Sequence, residues 1–453
     1  MSNLFLQILV IICFMGVVVV LFFEDRDYIY FTFIFIIIAG IASAIFIPEA
    51  QDLYFYISQI EWDVVIFLIT MFAIVEILNI NKVFDEVARR MVIKYQNKPR
   101  ILYYLICIVS TLMATIVEDL SIAMIFAPII IVATRKLNMR PAAYLLGMTI
   151  CINIAATLTP FGSAQNVLIT NAFNLDILWF IINLGPYFVI ALITTLIVLD
   201  KVVLSKDIDY CESHVCSIPE DQYDNLLDEE KIEREVFIRN LIALAILIVL
   251  LIVIPELFLA GLIGLLIFVL LNPVKLKDDK EKKSISLSYY LARMDYKLIY
   301  FFICLFIFVG LMELNGTIAF LETIIENISS QNEFILALTV LLVTSVLSGF
   351  LDNTPVTIIF IPIIQILVGL PEFYRGPIVI AFILGINLGG NFLPQGSAAD
   401  LMTLEISRDK NVKDLTYKRL FKVGGLFALL HVLLGIGDRK STRLNSSHRL
   451  RSR

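Results

Sequence analysis

Two short stretches gather polar residues inside otherwise apolar runs: Asn153, Thr157, Thr159, Gly162, Ser163 and Asn166 lie around Pro160, and Asn387, Asn391, Gly396, Ser397 and Asp400 lie around Pro394. Pro removes a backbone donor and Gly loosens the coil, so both stretches read as interruptions of a membrane helix. Such interruptions expose carbonyl oxygens able to ligate a cation and helix N-termini able to hold an anion. Two acidic turns accompany them. Glu118-Asp119 splits the apolar run 101–134, and Asp352-Asn353-Thr354 splits the run 334–370. Carboxylates at membrane depth are costly unless paired or hydrated, which makes Glu118, Asp119, Asp352 and Asp400 site candidates. The chemistry these residues suit is the binding and release of small ions. Asp119, Gly162, Asp352, Asn353 and Gly396 are the candidate Na⁺ ligands, and no other cofactor is called for. An intramembrane serine protease would need a membrane His, but His431, the one His in a predicted span, is far from any Gly-x-Ser; with no Gly-Lys dipeptide there is no P-loop, which sets aside an ATP-driven pump.

The two halves of this constellation are copies, related by one fixed interval along the chain. The step from Glu118-Asp119 to Asp352-Asn353 equals the step from Pro128 to Pro362, and Asn153–Asn166 continues the register without a gap into Asn387–Asp400. Upstream, Val75 and Asn81 match Val309 and Asn315 at the same interval. Each copy holds five predicted spans and one split pair. An odd number of crossings inserts the second copy upside down, the inverted-repeat plan of secondary transporters.

The elements that position these residues have to be membrane helices. Of 453 residues, 59% are hydrophobic and 17% charged, against ~25% charged in soluble domains. That excludes a soluble enzyme, a nucleic-acid binder and a disulfide scaffold. Spans are predicted at 3–23, 28–47, 64–80, 141–170, 177–199, 236–254, 257–272, 298–314, 376–406 and 420–437, with the two split pairs as re-entrant hairpins. From Asp438 onward the sequence back-translates to a common sequencing-library adapter, so 438–453 is read as an artefact tail. Removing its six Lys and Arg and one Asp leaves 29 basic and 40 acidic residues. All 29 basic residues except Arg375 fall on one side of the predicted spans, which makes that side cytoplasmic and puts both termini outside. The first repeat is then 1–205, an acidic cytoplasmic linker 206–234, and the second repeat 235–437. Within the linker, Cys211, His214 and Cys216 lack a fourth metal ligand, and the stretch reads as solvated chain.

At the hairpin tips and breaks the chain resembles the ion transporter superfamily. Asp352-Asn353-Thr354 with Pro362, and Thr159-Pro160-Phe161-Gly162-Ser163-Ala164-Gln165-Asn166, are similar to the tip and broken-helix motifs of that group. It includes divalent anion/sodium symporters, citrate transporters, arsenite permeases and sodium/proton antiporters. The likeness covers residues 1–437 and is nearest the arsenite-permease and citrate-transporter-like branch. It implies an all-α polytopic membrane protein of two inverted repeats, each with five spans and one hairpin, with broken helices at the midplane. It also implies a homodimer working as an elevator in the plasma membrane. The sequence departs from the pattern in three places. Tip one is Glu118-Asp119-Leu120 where sodium-coupled dicarboxylate carriers have Ser-Asn-Thr, Gln165 and Ala399 replace a Pro, and Asp400 stands where Asn is usual.

The expected function is secondary active transport of a small ion, first an anion (citrate-like or an oxyanion) coupled to Na⁺ or H⁺. A cation/proton antiporter on the same scaffold is the alternative favoured by the extra carboxylates, and an intramembrane enzyme or a channel ranks below both. The partners are the ion, the lipid bilayer and a second copy of the chain, without nucleic acid.

Overall fold

A computed structural model describes residues 2–20, 27–95, 98–213, 232–275, 283–294, 296–320, 332–351, 353–369 and 373–450. The runs of Leu, Ile, Val and Phe form helices, which satisfy their own backbone donors and acceptors where no water is present. In chain order these are α1 (Ser2–Val20), α2 (Tyr28–Phe46), α3 (Leu53–Ser58), α4 (Trp62–Ile80), α5 (Val83–Tyr95), α6 (Pro99–Ala114), α7 (Asp119–Lys136), α8 (Pro141–Ala155), α9 (Ala164–Ala172) and α10 (Ile177–Leu199). There follow α11 (Ser205–Ser213), α12 (Arg234–Val253), α13 (Leu257–Leu271), α14 (Leu287–Leu291), α15 (Lys297–Leu314), α16 (Glu333–Phe350), α17 (Asn353–Gly369), α18 (Arg375–Gly389), α19 (Ala398–Asp409) and α20 (Tyr417–Leu450). Among the described residues the only sheet is the pair β1 (Val274–Lys275) and β2 (Lys283–Ser284). Seven of the described helices are long and apolar enough to cross a membrane: α2, α4, α10 with its continuation to Cys211, α12, α15, α16, and α20 as far as Ile436. The chain is thus a helical, multi-pass membrane protein.

The interval between the polar motifs is also the interval between helix starts. Pro99 and Glu333, Asp119 and Asn353, Pro141 and Arg375, and Ala164 and Ala398 each open a helix, and every pair is separated by that same step. Helix contacts sort into two groups. One holds α1, α2, α4, α12, α13 and α15, and the other holds α6–α10 with α16–α20. In the second group α6 and α7 form one hairpin and α16 and α17 another. The second arm of each packs on the broken helix of the other half, α7 on α19 and α17 on α9.

Two surface elements complete the frame. The amphipathic stretch after α4 is helix α5, which buries Val83, Phe84, Ala88 and Val92. On the same helix, buried Glu86 accepts hydrogen bonds from Arg89 Nε and Nη2 and from Arg90 Nε, all at 2.7 Å. Burial alone would raise this carboxyl, but the two guanidinium groups outweigh burial and hold it below its usual range. The stretch read as solvated linker is ordered at its start. There α11 continues from α10 and buries Asp207, which accepts from Arg419 Nη2 at 2.8 Å. Cys211 is part of this helix, while His214 and Cys216 lie outside the described residues.

Candidate functional site

The first break runs from the end of α8 to the start of α9. Thr157 turns its hydroxyl back onto Ile154 O at 2.8 Å, and Pro160 follows where the ladder has already stopped. Thr159 Oγ1 donates to Thr115 O in the hairpin turn and accepts from the Gly162 N–H at 3.0 Å. A Cβ on Gly162 would stand 2.9 Å from Ala114 O, at the end of the first arm of the hairpin. The second break repeats this seat. A Cβ on Gly396 would stand 2.7 Å from Ser348 O and 2.9 Å from Gly349 O, and Ser348 is the counterpart of Ala114 in the repeat. Each break therefore lies against the carbonyls of its own hairpin at a distance that only Gly permits.

The breaks are joined to each other through side chains. Asn153 Nδ2 donates to Asn391 Oδ1 at 2.8 Å and to Asp400 Oδ1 at 3.4 Å, while Asn153 Oδ1 accepts from Ser397 Oγ at 2.9 Å. Asn387 mirrors it from the other half, donating to Asn166 Oδ1 at 2.9 Å and accepting from Gln165 Nε2 at 3.1 Å. The Asn of each half is thus bonded into the break of the other. Asn166 in turn donates to Ala156 O and, at 3.0 Å, to Thr159 O, which closes the first break on itself. The side chain of Asp400 has no N–H to give and instead accepts from Thr149 Oγ1 as well as Asn153.

The tips differ in the same manner. Asn353 opens α17 with its amide nitrogen donating to Gly396 O at 3.0 Å and Ile386 O at 3.1 Å, the orientation that satisfies both ends of the amide. At the equivalent place in α7 stands Asp119, whose Oδ1 accepts from Leu120 N at 2.8 Å. Its carboxylate lies within Coulombic reach of Asp400. A small cleft opens between α4 and the first tip. Glu118 and Ser163 line it together with Phe67, Met71 and Phe161. Ser163 Oγ is buried and has no hydrogen-bond partner among the described residues. Ser163 stands at the N-cap position of α9 without a side-chain capping bond, and its carbonyl accepts from Asn166 N at 3.1 Å and Val167 N at 3.3 Å.

Most of the sequence-predicted residues are brought together. Asn153, Asn166, Asn387, Asn391, Ser397 and Asp400 share the central network; Thr159 and Gly162 tie it to tip one, and Asn353 and Gly396 to tip two. Glu118 and Ser163 face the cleft. Thr157 spends its hydroxyl on its own helix, and Thr354 is buried in α17. Asp352 lies outside the described residues. Three participants escaped the sequence reading: Thr149, Gln165 and Ser348, the last donating to Ile386 O at 2.6 Å. Thr149 sits four residues before Asn153, one helical turn away on the same face, and that spacing was the available signal.

The model of the citrate transporter family matches residues 17–282 and 257–437. A 46 kDa membrane protein of Mycobacterium leprae is 23% identical over 384 residues, covering 82% of this chain and 85% of that protein. An uncharacterized transporter of Mycobacterium tuberculosis is 24% identical over 381 residues, with the same coverage of 82% and 85%. An uncharacterized transporter of Methanocaldococcus jannaschii is 24% identical over 407 residues, covering 89% and 96%.

Proposed function

Because the chain belongs to the citrate transporter family, we propose that this membrane transporter carries a small anion, citrate-like or an oxyanion, coupled to Na⁺ or H⁺. The observation that carries the proposal is the mutual bonding of the two breaks through Asn153 and Asn387. It builds one buried centre from both halves of the chain, where two helices begin. The anion sits in the cleft at the start of α9, which Ser163 and Ala164 line and where the helix N-terminus favours negative charge. Glu118 lines the same cleft, so a bare anion is repelled there. A co-bound cation or proton removes that repulsion, and this is a physical reason for coupling. Asp119, with the carbonyl of Gly162, supplies the hard oxygen donors that Na⁺ requires.

In this reading the halves are inverted repeats, the group α6–α10 with α16–α20 moves as an elevator against the remaining helices, and two copies form the working dimer in the plasma membrane. Both termini face outside, so cysteines introduced in 48–63 would react with an impermeant reagent from that side. Uptake into proteoliposomes across a panel of anions, under imposed Na⁺ or H⁺ gradients, tests the function. Gradient-dependent, saturable uptake of an anion supports it, and gradient-insensitive flux refutes it. One observation favours a second reading, a cation/proton antiporter: neither break nor tip contains a Lys, Arg or His, whereas Glu118, Asp119 and Asp400 are all present. Cation-for-proton exchange without anion uptake in the same vesicles would select it.

A further inference from the structure

The two breaks are built alike except for one exchange of chemistry. In the first, Asn166 Nδ2 donates to Ala156 O and Thr159 O and so closes the interruption from within. In the second, the carbonyls at the equivalent positions of the repeat are those of Gly390 and Leu393, and the equivalent side chain is Asp400. Leu393 O accepts from Gly396 N at 2.9 Å. Gly390 O accepts no hydrogen bond among the described residues. Asp400 is 1% exposed, and both of its hydrogen bonds, from Thr149 and Asn153, fall on Oδ1. Among the described residues Oδ2 receives none.

We propose that Asp400 is a proton-binding site: with a proton, its hydroxyl takes the place of the amide N–H by which Asn166 closes the first break, and without one the second break stays open. A carboxylic acid and a carboxamide have the same heavy-atom shape, and each offers one oxygen to accept and one group to donate. An ionised Asp only accepts, so it leaves Gly390 O without a partner and a buried charge whose Oδ2 has no donor among the described residues, which is costly at membrane depth. Among the described residues no Lys, Arg or His hydrogen-bonds the Asp400 carboxylate. Its helix, α19, packs on α7, on α8 and on the turn at Pro394–Gly396. On α7, Asp119 acts on Asp400 as a like charge, while Arg135 donates to Lys410 O at the far end. The titratable groups on α8 are Tyr144 and Cys151, and the turn has none.

The step is a simple protonation: the O–H bond forms on Asp400 with a proton from water and breaks to return it. What this means for coupling rests on the transport reading above, whereas the site itself does not. The test uses purified full-length protein without any substrate, in infrared titration and in hydrogen exchange of residues 390–397 across a pH series. Wild type is expected to show a titrating carboxylic C=O band that disappears in Asp400→Asn and persists in Asp119→Asn. Exchange at 390–397 in wild type is expected to rise with pH about tenfold beyond its intrinsic base-catalysed increase, the order set by one lost hydrogen bond. Asp400→Asn, which carries the residue that already closes the first break, is expected to stay protected throughout. Thr149→Val, which strips a donor from Oδ1, is expected to shift the titration midpoint and retain the band. A band that survives in Asp400→Asn, equal exchange profiles for wild type and that variant, or an unmoved midpoint in Thr149→Val would overturn the proposal. Failure here leaves the uptake result untouched, and failed uptake leaves the band untouched, so the two readings fail separately.

Discussion

Gly396→Ala probes the seat that joins the second break to its hairpin. The added Cβ would stand 2.7 Å from Ser348 O, 2.9 Å from Gly349 O and 2.9 Å from Gly390 O, where ordinary contact begins at 3.4 Å. All three are backbone carbonyls, so no side chain can rotate away to make room. The break must instead recede by several tenths of an ångström from the end of α16. Overpacking of this kind costs about 1–3 kcal/mol, which lowers the population of the seated arrangement roughly 5- to 150-fold. The assay is paired: thermal unfolding of the purified protein in detergent, and initial uptake of radiolabelled substrate into proteoliposomes. Both are expected to fall. Gly376→Ala is the control, since a Cβ there meets nothing within 4 Å, and it should leave uptake unchanged with a small gain in helix stability of up to ~1 kcal/mol. Wild-type melting and uptake in Gly396→Ala would refute the claim that close approach of the break to the hairpin matters.

Three further outcomes follow from the same geometry. Pro160→Ala and Pro394→Ala should impair uptake more than Pro128→Ala, because the first two lie at the breaks and the third inside α7; equal rates in all three would reduce the breaks to kinks. Asp119→Asn gives tip one the residue already used at tip two, so the fold should survive while the half-saturating Na⁺ concentration for uptake rises about tenfold, the scale of losing one charge-assisted contact; an unchanged Na⁺ dependence would count against Asp119 as a ligand. Glu86 has a lowered carboxyl, held by Arg89 and Arg90, so its stabilisation is full above the unfolded value of ~4.3 and is lost as pH falls through the lower folded value. Glu86→Gln should therefore destabilise at neutral pH by about 1–2 kcal/mol, discounted for the half-exposed Arg90, and the difference from wild type should vanish in acid; a difference that persists there would contradict the ion-pair account.

Much of the frame could be read from residue types alone. Pro160 with Gly162, and Pro394 with Gly396, mark the two interruptions because helix continuity fails locally there, and no tertiary information is needed to see it. The repeat interval is a property of the string itself, and the helix starts follow it. What could not be read is who bonds whom. That Asn153 serves the second break and Asn387 the first depends on how the halves pack, and nothing near Asn153 in sequence announces Asn391 or Ser397 as partners. Thr149 stood in an apolar run and looked like core until Asp400 arrived from 251 residues away. The ordered start of the linker was hidden for a related reason: Asp207 looks solvated in an acidic stretch, and only the fold brings Arg419 to it.

The proposed route takes the transported ion through the cleft where the two-half centre meets α4. Ser163 offers the most direct test, since its hydroxyl is buried without a partner among the described residues and the residue lines that cleft. Ser163→Cys is made and reacted with a small thiol reagent, with and without the ion that the wild type accumulates. Modification is expected to stop uptake, and the transported ion is expected to slow the reaction in proportion to its occupancy. Modification at the same rate with and without that ion, with uptake unimpaired, would contradict passage through the cleft.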